Sequence, residues 1–306
     1  GNLAVSSPFE PGSVNKIVAI ATAIENGLTT PDEVLQVPGS IDMGGVTVSD
    51  AWKHGVMPYT TTGILGKSSN VGTLMIAQRV GPERFADMVG KFGLGQRTGV
   101  GLPGESAGLV PPMDQWSGST FSNLPIGQGL SMTLLQMTGM YQTIANDGLR
   151  MPPRIVKATI APDGTRTEER RPEGVRVVSP ETARTVRNML RAVVQKDPMG
   201  YQQGTGSPAA VEGYQMAGKT GTAQQINPAC GCYYSDVYWI TFAGIATADN
   251  PRYVVGIMMD APDRNPDGTP GHSAAPLFHN IASWLMQREN VPLSPDPGPP
   301  LILQAT

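Results

Sequence analysis

The sequence predicts a mixed α/β fold of the α+β kind, an antiparallel sheet flanked by helices, with a helical subdomain. Two observations predict it. Up to about residue 195, apolar residues recur at helical spacing between capping and stop signals, whereas the last third changes to β-branched and aromatic runs separated by turn residues. With 306 residues, 40% apolar and 15% charged, the chain can bury a sizeable core.

Residues 13–26, SVNKIVAIATAIEN, place Ile17, Ile20 and Ile24 on one helical face, and Gly27 follows as a C-terminal stop. The Gly-, Thr- and Pro-rich stretch 28–66 has little helical period. Residues 71–80 read as a helix closed by Gly81, and Pro82 opens the next, with Glu83 in its first turn and Gly93 at its end. Leu134, Met137, Tyr141 and Ile144 give 133–146 a helical period, with the methionines in the core, and Gly139 suggests close approach of another backbone. Ser179 and Pro180 are an N-cap and first position for a helix to about Gln195 that turns Val186, Leu190 and Val194 inward. Three antiparallel strands follow at about 214–226, 237–247 and 252–260, then a helix from about Ala274 to Gln287. The Pro-rich residues 291–306 read as an extended or disordered tail appended to a domain spanning 1–290.

A net charge of −3, with 22 basic residues spread along the chain, gives no footprint for nucleic acid or an anionic surface. Cys230 and Cys232 supply half of a four-ligand metal site and nothing nearby completes it, so a loop dithiol or local disulfide is expected and no metal. The sequence shows neither an apolar run of about eighteen residues nor a signal peptide. His54, His272 and His279 lie near no Asp/Ser constellation that would suggest a Ser-His-Asp triad and are read as non-catalytic, His272 at the site mouth.

Three short motifs carry chemistry. In Ser13-Val14-Asn15-Lys16 a helix starting at Ser13 puts Lys16 one turn along the same face, where its amine can reach the hydroxyl. A serine becomes a good nucleophile when a base takes its proton, and a lysine serves if its pKa is lowered. Ser68-Ser69-Asn70 precedes the helix at 71 and also reads as an N-cap. Lys219-Thr220-Gly221-Thr222 lies in a strand, with both threonines on one face and a glycine where a ligand backbone could approach. Each motif alone recurs widely. Their order and their helix, loop and strand settings together form the set of penicillin-binding proteins and serine β-lactamases.

From Phe9 to about Met286 the chain resembles the transpeptidase domain of class B penicillin-binding proteins, through FEPGSVNK, SSNVG, LPGES, GKTGTAQ, WITFAGIATADNPRYVVGIMMD and GHSAAPLF. The SSNVG and FEPGSVNK forms are most similar to septal, cell-division members from actinobacteria. The resemblance implies a D,D-transpeptidase that cross-links peptidoglycan stem peptides through a Ser13 acyl-enzyme, without a cofactor, on the extracytoplasmic face of the membrane. It implies Lys16 as general base, Ser68 as proton relay and Asn70 as donor to the acyl-chain amide. It further implies Lys219 as a like charge that keeps Lys16 neutral and bonds Ser68, Thr220 and Thr222 as carboxylate ligands, and the Ser13 and Thr222 N–H groups as oxyanion hole. β-Lactams are expected as covalent inhibitors, and a lipid II-polymerising glycosyltransferase and other divisome proteins as partners. The alternatives are a serine β-lactamase and a non-catalytic penicillin sensor or divisome scaffold.

Members of that family carry two strands upstream of the nucleophile block that are missing here. The strand at 252–260 is apolar at nearly consecutive positions, as in strands covered on both faces, and an unpaired edge there is unfavourable. An upstream segment or second chain is therefore expected beside Val254 to Met258, and a bare edge would mark a rearranged fold.

Overall fold

Gly12–Asn15 form a 3₁₀ turn that runs directly into helix α1, Lys16–Glu25. The computed structural model describes residues 1–262 and 271–306. Every residue from Lys16 to Ala23 is buried, so α1 is a central helix and its lysine is carried inside with it. Next come β1 (Val34–Val37), β2 (Ser40–Met43), β3 (Val46–Ser49) and β4 (Met57–Thr60), which pair as two small antiparallel ladders, β1 with β4 and β2 with β3.

Helix α2, Thr61–Lys67, has no clear sequence signal, because its threonines and glycines are poor helix formers. Capping and packing override propensity here. The Thr60 hydroxyl accepts from the Gly63 N–H, and Thr61 to Gly66 are all buried. Ser69 caps the next helix, α3 (Asn70–Val80), through the Gly72 N–H, a bond of the kind that contributes about 1 kcal/mol. Helix α4, Pro82–Lys91, starts on its proline as expected.

Helix α5, Leu134–Ala145, opens with a capping box between Thr133 and Gln136 and buries Met137, Met140, Tyr141 and Ile144. Gly139 departs from expectation, since nothing lies within 4 Å of where its Cβ would stand. The helix read over 179–195 divides into α6 (Pro180–Met189) and α7 (Arg191–Val194), with Val186, Leu190 and Val194 buried.

The main sheet has the order β7-β6-β5, with β5 at Ala217–Asn227, β6 at Cys232–Ala246 and β7 at Tyr253–Asp260. Thr222 pairs with Ile240 and Val254 with Ile245. The β5–β6 hairpin extends further than the sequence suggests and shifts register between Tyr233 and Tyr238. A Cys230–Cys232 disulfide closes its tip, one of the two expected states of that pair.

Helix α8, Gly271–Arg288, covers one face of the sheet, where Phe278 lies against Gly244 and Phe242. Helix α5 covers the other, with Thr138 against Gly256. β7 is thus covered on both faces, but among the described residues it pairs with β6 alone. Residues 291–306 run extended and ordered. Leu303 is fully buried, its carbonyl accepts from the Thr60 N–H (3.0 Å), and the Ala305 N–H reaches Pro58 O (2.8 Å). A Cβ on Gly63 would stand 1.8 Å from Leu303 O, so the tail lies directly on α2.

Candidate active site

The nucleophile turn is held by close backbone contacts. Gly12 has φ +62°, and a Cβ there would lie 2.4 Å from Thr222 O; one on Gly127 would lie 1.8 Å from Gly12 O. Ser13 therefore sits where β5 meets the loop at Gly127. Tyr141 Oη donates to Val14 O (2.8 Å) and Asn15 Nδ2 to Leu124 O (2.8 Å), which ties the same turn to α5 and the 124–127 loop. A Cβ on Gly221 would meet Thr241 Oγ1 at 2.2 Å and Pro11 O at 2.9 Å. The glycine of the third motif admits the nucleophile turn.

Ser68 closes α2 in the left-handed region, φ +59°, a conformation that costs a serine roughly 1 kcal/mol. Its hydroxyl is the meeting point of the site. Lys16 Nζ donates to Ser68 O (2.7 Å) and Ser68 Oγ (3.1 Å), and Lys219 Nζ donates to Ser68 Oγ (2.9 Å) and Thr220 O (3.1 Å). Among the described residues no hydrogen bond joins Lys16 to Ser13. A neutral lysine amine has two N–H bonds and one lone pair, so donation to Ser68 twice leaves the lone pair for the Ser13 proton.

Both lysines are fully buried, and burial penalises their charged forms. Burial brings the Lys16 pKa down to about 7, with the Asp50 carboxylate pulling the other way. Burial is the largest cause for both lysines, and their like charges oppose each other, so the pair disfavours carrying two protons; burial and then Lys16 push Lys219 well below the ordinary lysine range.

Asn70 Nδ2 donates to Ser49 O (3.0 Å), leaving one further N–H for an acyl chain. Thr220 Oγ1 is shared with Thr205 Oγ1 (2.7 Å), and Thr222, half-buried, has its hydroxyl free among the described residues. The structure thus brings Lys16, Ser68 and Lys219 into one cluster and sets Gly12, the residue before Ser13, against the Thr222 backbone.

Several residues escaped the sequence reading. Asp50, on the loop after β3, accepts from Ser69 Oγ (2.8 and 3.0 Å), from the Val71 N–H (3.0 Å) and from His54 Nε2 (2.8 Å). His54 and Ser69 both bind Asp50, but the carboxylate stands between imidazole and hydroxyl, which is not the order of a catalytic triad. His279 Nδ1 pairs with Ala210 O (2.7 Å), and the His272 side chain lies outside the described residues. Glu10 binds the Gly129 N–H (3.0 Å) and Tyr233 Oη (3.0 Å), linking nucleophile turn, loop and hairpin, and burial raises its pKa. Trp239 packs on Phe9 beside that turn, ring centroids 5.9 Å apart. A cavity of about 450 Å³ between α5 and the start of β7 contains none of the motif residues. No cluster of metal-ligating side chains occurs among the described residues, and none of their helices is long and apolar enough to cross a membrane.

A serine–lysine helix packed on a K-T-G-T strand, with a second serine bridging two lysines, is the arrangement of penicillin-binding proteins and serine β-lactamases, and the chain belongs to the former: residues 1–283 match the penicillin binding protein transpeptidase domain. It is 83% identical over its full length to the penicillin-binding protein PbpB of Mycobacterium tuberculosis and 82% identical to PbpB of Mycolicibacterium smegmatis. It covers 45% and 47% of those proteins, so it spans about half the length of the curated relatives it matches. The crystal structure of penicillin binding protein 3 from M. tuberculosis complexed with ampicillin superposes with a TM-score of 0.97 at 83% identity, over all of this chain and 68% of that one. These are actinobacterial relatives, as the motif forms imply. A bare edge of β7 was expected to mark a rearranged fold, and that superposition over the whole chain corrects the expectation: among the described residues no strand pairs with β7 on that side, and the fold is retained.

Proposed function

We propose that this chain is the catalytic part of a septal D,D-transpeptidase acting on the extracytoplasmic face of the membrane. Ser13 attacks the penultimate D-alanine carbonyl of a stem peptide, its proton passing to Lys16, and the terminal D-alanine leaves as an amine protonated through Ser68. An amine from a neighbouring stem then resolves the ester. The Ser13 and Thr222 N–H groups hold the oxyanion, worth about 3–4 kcal/mol per donor. Lys219 supplies positive potential, and Thr220 and Thr222 take the substrate carboxylate while Asn70 orients the acyl chain.

The observation that supports this reading most is the single Ser68 hydroxyl bonded by two fully buried lysines, one of them with a pKa of about 7. That pKa suits a base at neutral pH. The relative crystallised with ampicillin makes β-lactam acylation the natural assay. Incubation with a fluorescent penicillin should give one covalent adduct by intact mass, absent in Ser13→Ala; no adduct, or one that persists in the variant, removes the assignment. Release of the adduct with turnover much faster than minutes would make the chain a β-lactamase instead. We further propose that a lipid II-polymerising glycosyltransferase and other divisome proteins are its partners, and that upstream chain of the longer protein pairs with β7.

A further inference from the structure

We propose that Asp50 is a positioning residue of this site: its buried carboxylate clamps the second motif from behind and supplies the negative potential that faces the Lys16 amine. The proposal rests on the reading of Lys16 as the base for Ser13.

The Asp50 side chain is 0% exposed and its partner His54 is 6% exposed. A carboxylate so placed survives only if its oxygens are satisfied, and here Ser69, Val71 and His54 satisfy them. Ser69 is engaged twice, donating to Asp50 while accepting from the Gly72 N–H. Asp50 therefore fixes the N-cap Ser69 and the first turn of α3, and with them Ser68, the residue before that cap, on whose hydroxyl both lysines converge. His54 is fixed in turn, its Nδ1 on Gly55 O (2.6 Å) and its ring stacked on Trp52.

The second effect is electrostatic. Around Lys16 stand Ser68 from the end of α2, Lys219 from β5 and the Asp50 charge. Around Asp50 stand His54, the Lys16 charge, and Tyr59 of β4, whose phenol is raised by burial and by the Asp50 charge. Burial alone would make Lys16 too reluctant to hold a proton, and a base that weak takes the Ser13 proton slowly. The Asp50 charge opposes that drift.

The test is the acylation rate with fluorescent penicillin between pH 5 and 9. In the wild-type chain the acid limb reports Lys16 losing its proton. Asp50→Asn should move that limb about one pH unit lower and lower the plateau about tenfold. Ser69→Ala, which breaks the clamp but keeps the charge, should lower the plateau and leave the limb in place. An unmoved limb in Asp50→Asn overturns the proposal, since a merely structural role lowers the rate equally at every pH. If Asp50→Asn does not fold, Asp50→Ser admits a water and carries the same expectation, and an unmoved limb there counts equally. Lys16→Ala separates the two levels of inference. If it acylates with the wild-type limb, the reading of Lys16 as base fails; if it is inactive while Asp50→Asn keeps the wild-type limb, only the role of Asp50 fails.

Discussion

Strands β5 and β7 flank the same central strand, yet the outer side of β5 meets the nucleophile turn at backbone distance, while among the described residues no strand lies beside β7. On β5 the approach depends on side chains being absent, at Gly12 and Gly221, so that peptide groups of the two segments face each other. On β7 the faces are covered by apolar packing and only the edge hydrogen-bonding groups are open. One edge is closed by geometry that chemistry needs. The other carries none of the three motifs, and substitutions at the two edges should differ accordingly.

The largest effect is expected at the base itself. Lys16→Arg should reduce acylation at least about 10³-fold, because a guanidinium stays protonated and cannot accept the Ser13 proton. Near-wild-type acylation by this variant, measured with fluorescent penicillin, would remove Lys16 as base. Gly221→Ala should come next. Its methyl would collide with Thr241 Oγ1 and Pro11 O, displacing the nucleophile turn, with a loss of about 10- to 100-fold in acylation for a displacement near 1 Å. Stability should fall by about 1–3 kcal/mol, read by denaturant titration.

Thr222→Val keeps shape and β-propensity but removes a hydroxyl, so acylation by carboxylate-bearing β-lactams should weaken about tenfold with the fold unchanged. An unchanged rate constant would place the carboxylate elsewhere. On the opposite edge, Val254→Thr should leave acylation within about twofold and cost about 1 kcal/mol. A large loss of activity there would erase the distinction between the edges.

Burial of Lys16 also gives a pH signature. The folded chain releases this proton at about 7 and an ordinary lysine at 10.5, so between those values the unfolded chain binds more protons and stability rises with pH. Lys16→Met lacks this group. Its stability margin over wild type should therefore shrink as pH rises from 7 towards 10, and a margin independent of pH would show that Lys16 titrates normally.

Much of this was legible in the sequence where periodicity or punctuation was strong. The central helix through Ile17 and Ile20, the helix opened by Pro82 and the three C-terminal strands follow from spacing and turn residues alone. Helix α2 was not, because Leu303 and the Thr60 cap stabilise it rather than its own residues. The three motifs named the residues around Ser68, but not which atoms they would touch. Asp50 was invisible for a different reason: no spacing rule connects a loop carboxylate to a serine that meets it through folding. At Gly221 close approach was legible in the glycine itself, while the approach of the nucleophile turn through Pro11 O was not.

The strap formed by residues 301–306 has a consequence for how the chain is made. Thr60 Oγ1 donates to Ile302 O across 242 residues of sequence, and α2, which carries Ser68 at its end, is braced by Leu303. Contacts so remote form only after most of the chain is available. During synthesis the bracing residues leave the ribosome after every other element of the site, so the serine that joins the two lysines gains its support last, and the nascent chain stays without a finished catalytic centre until then.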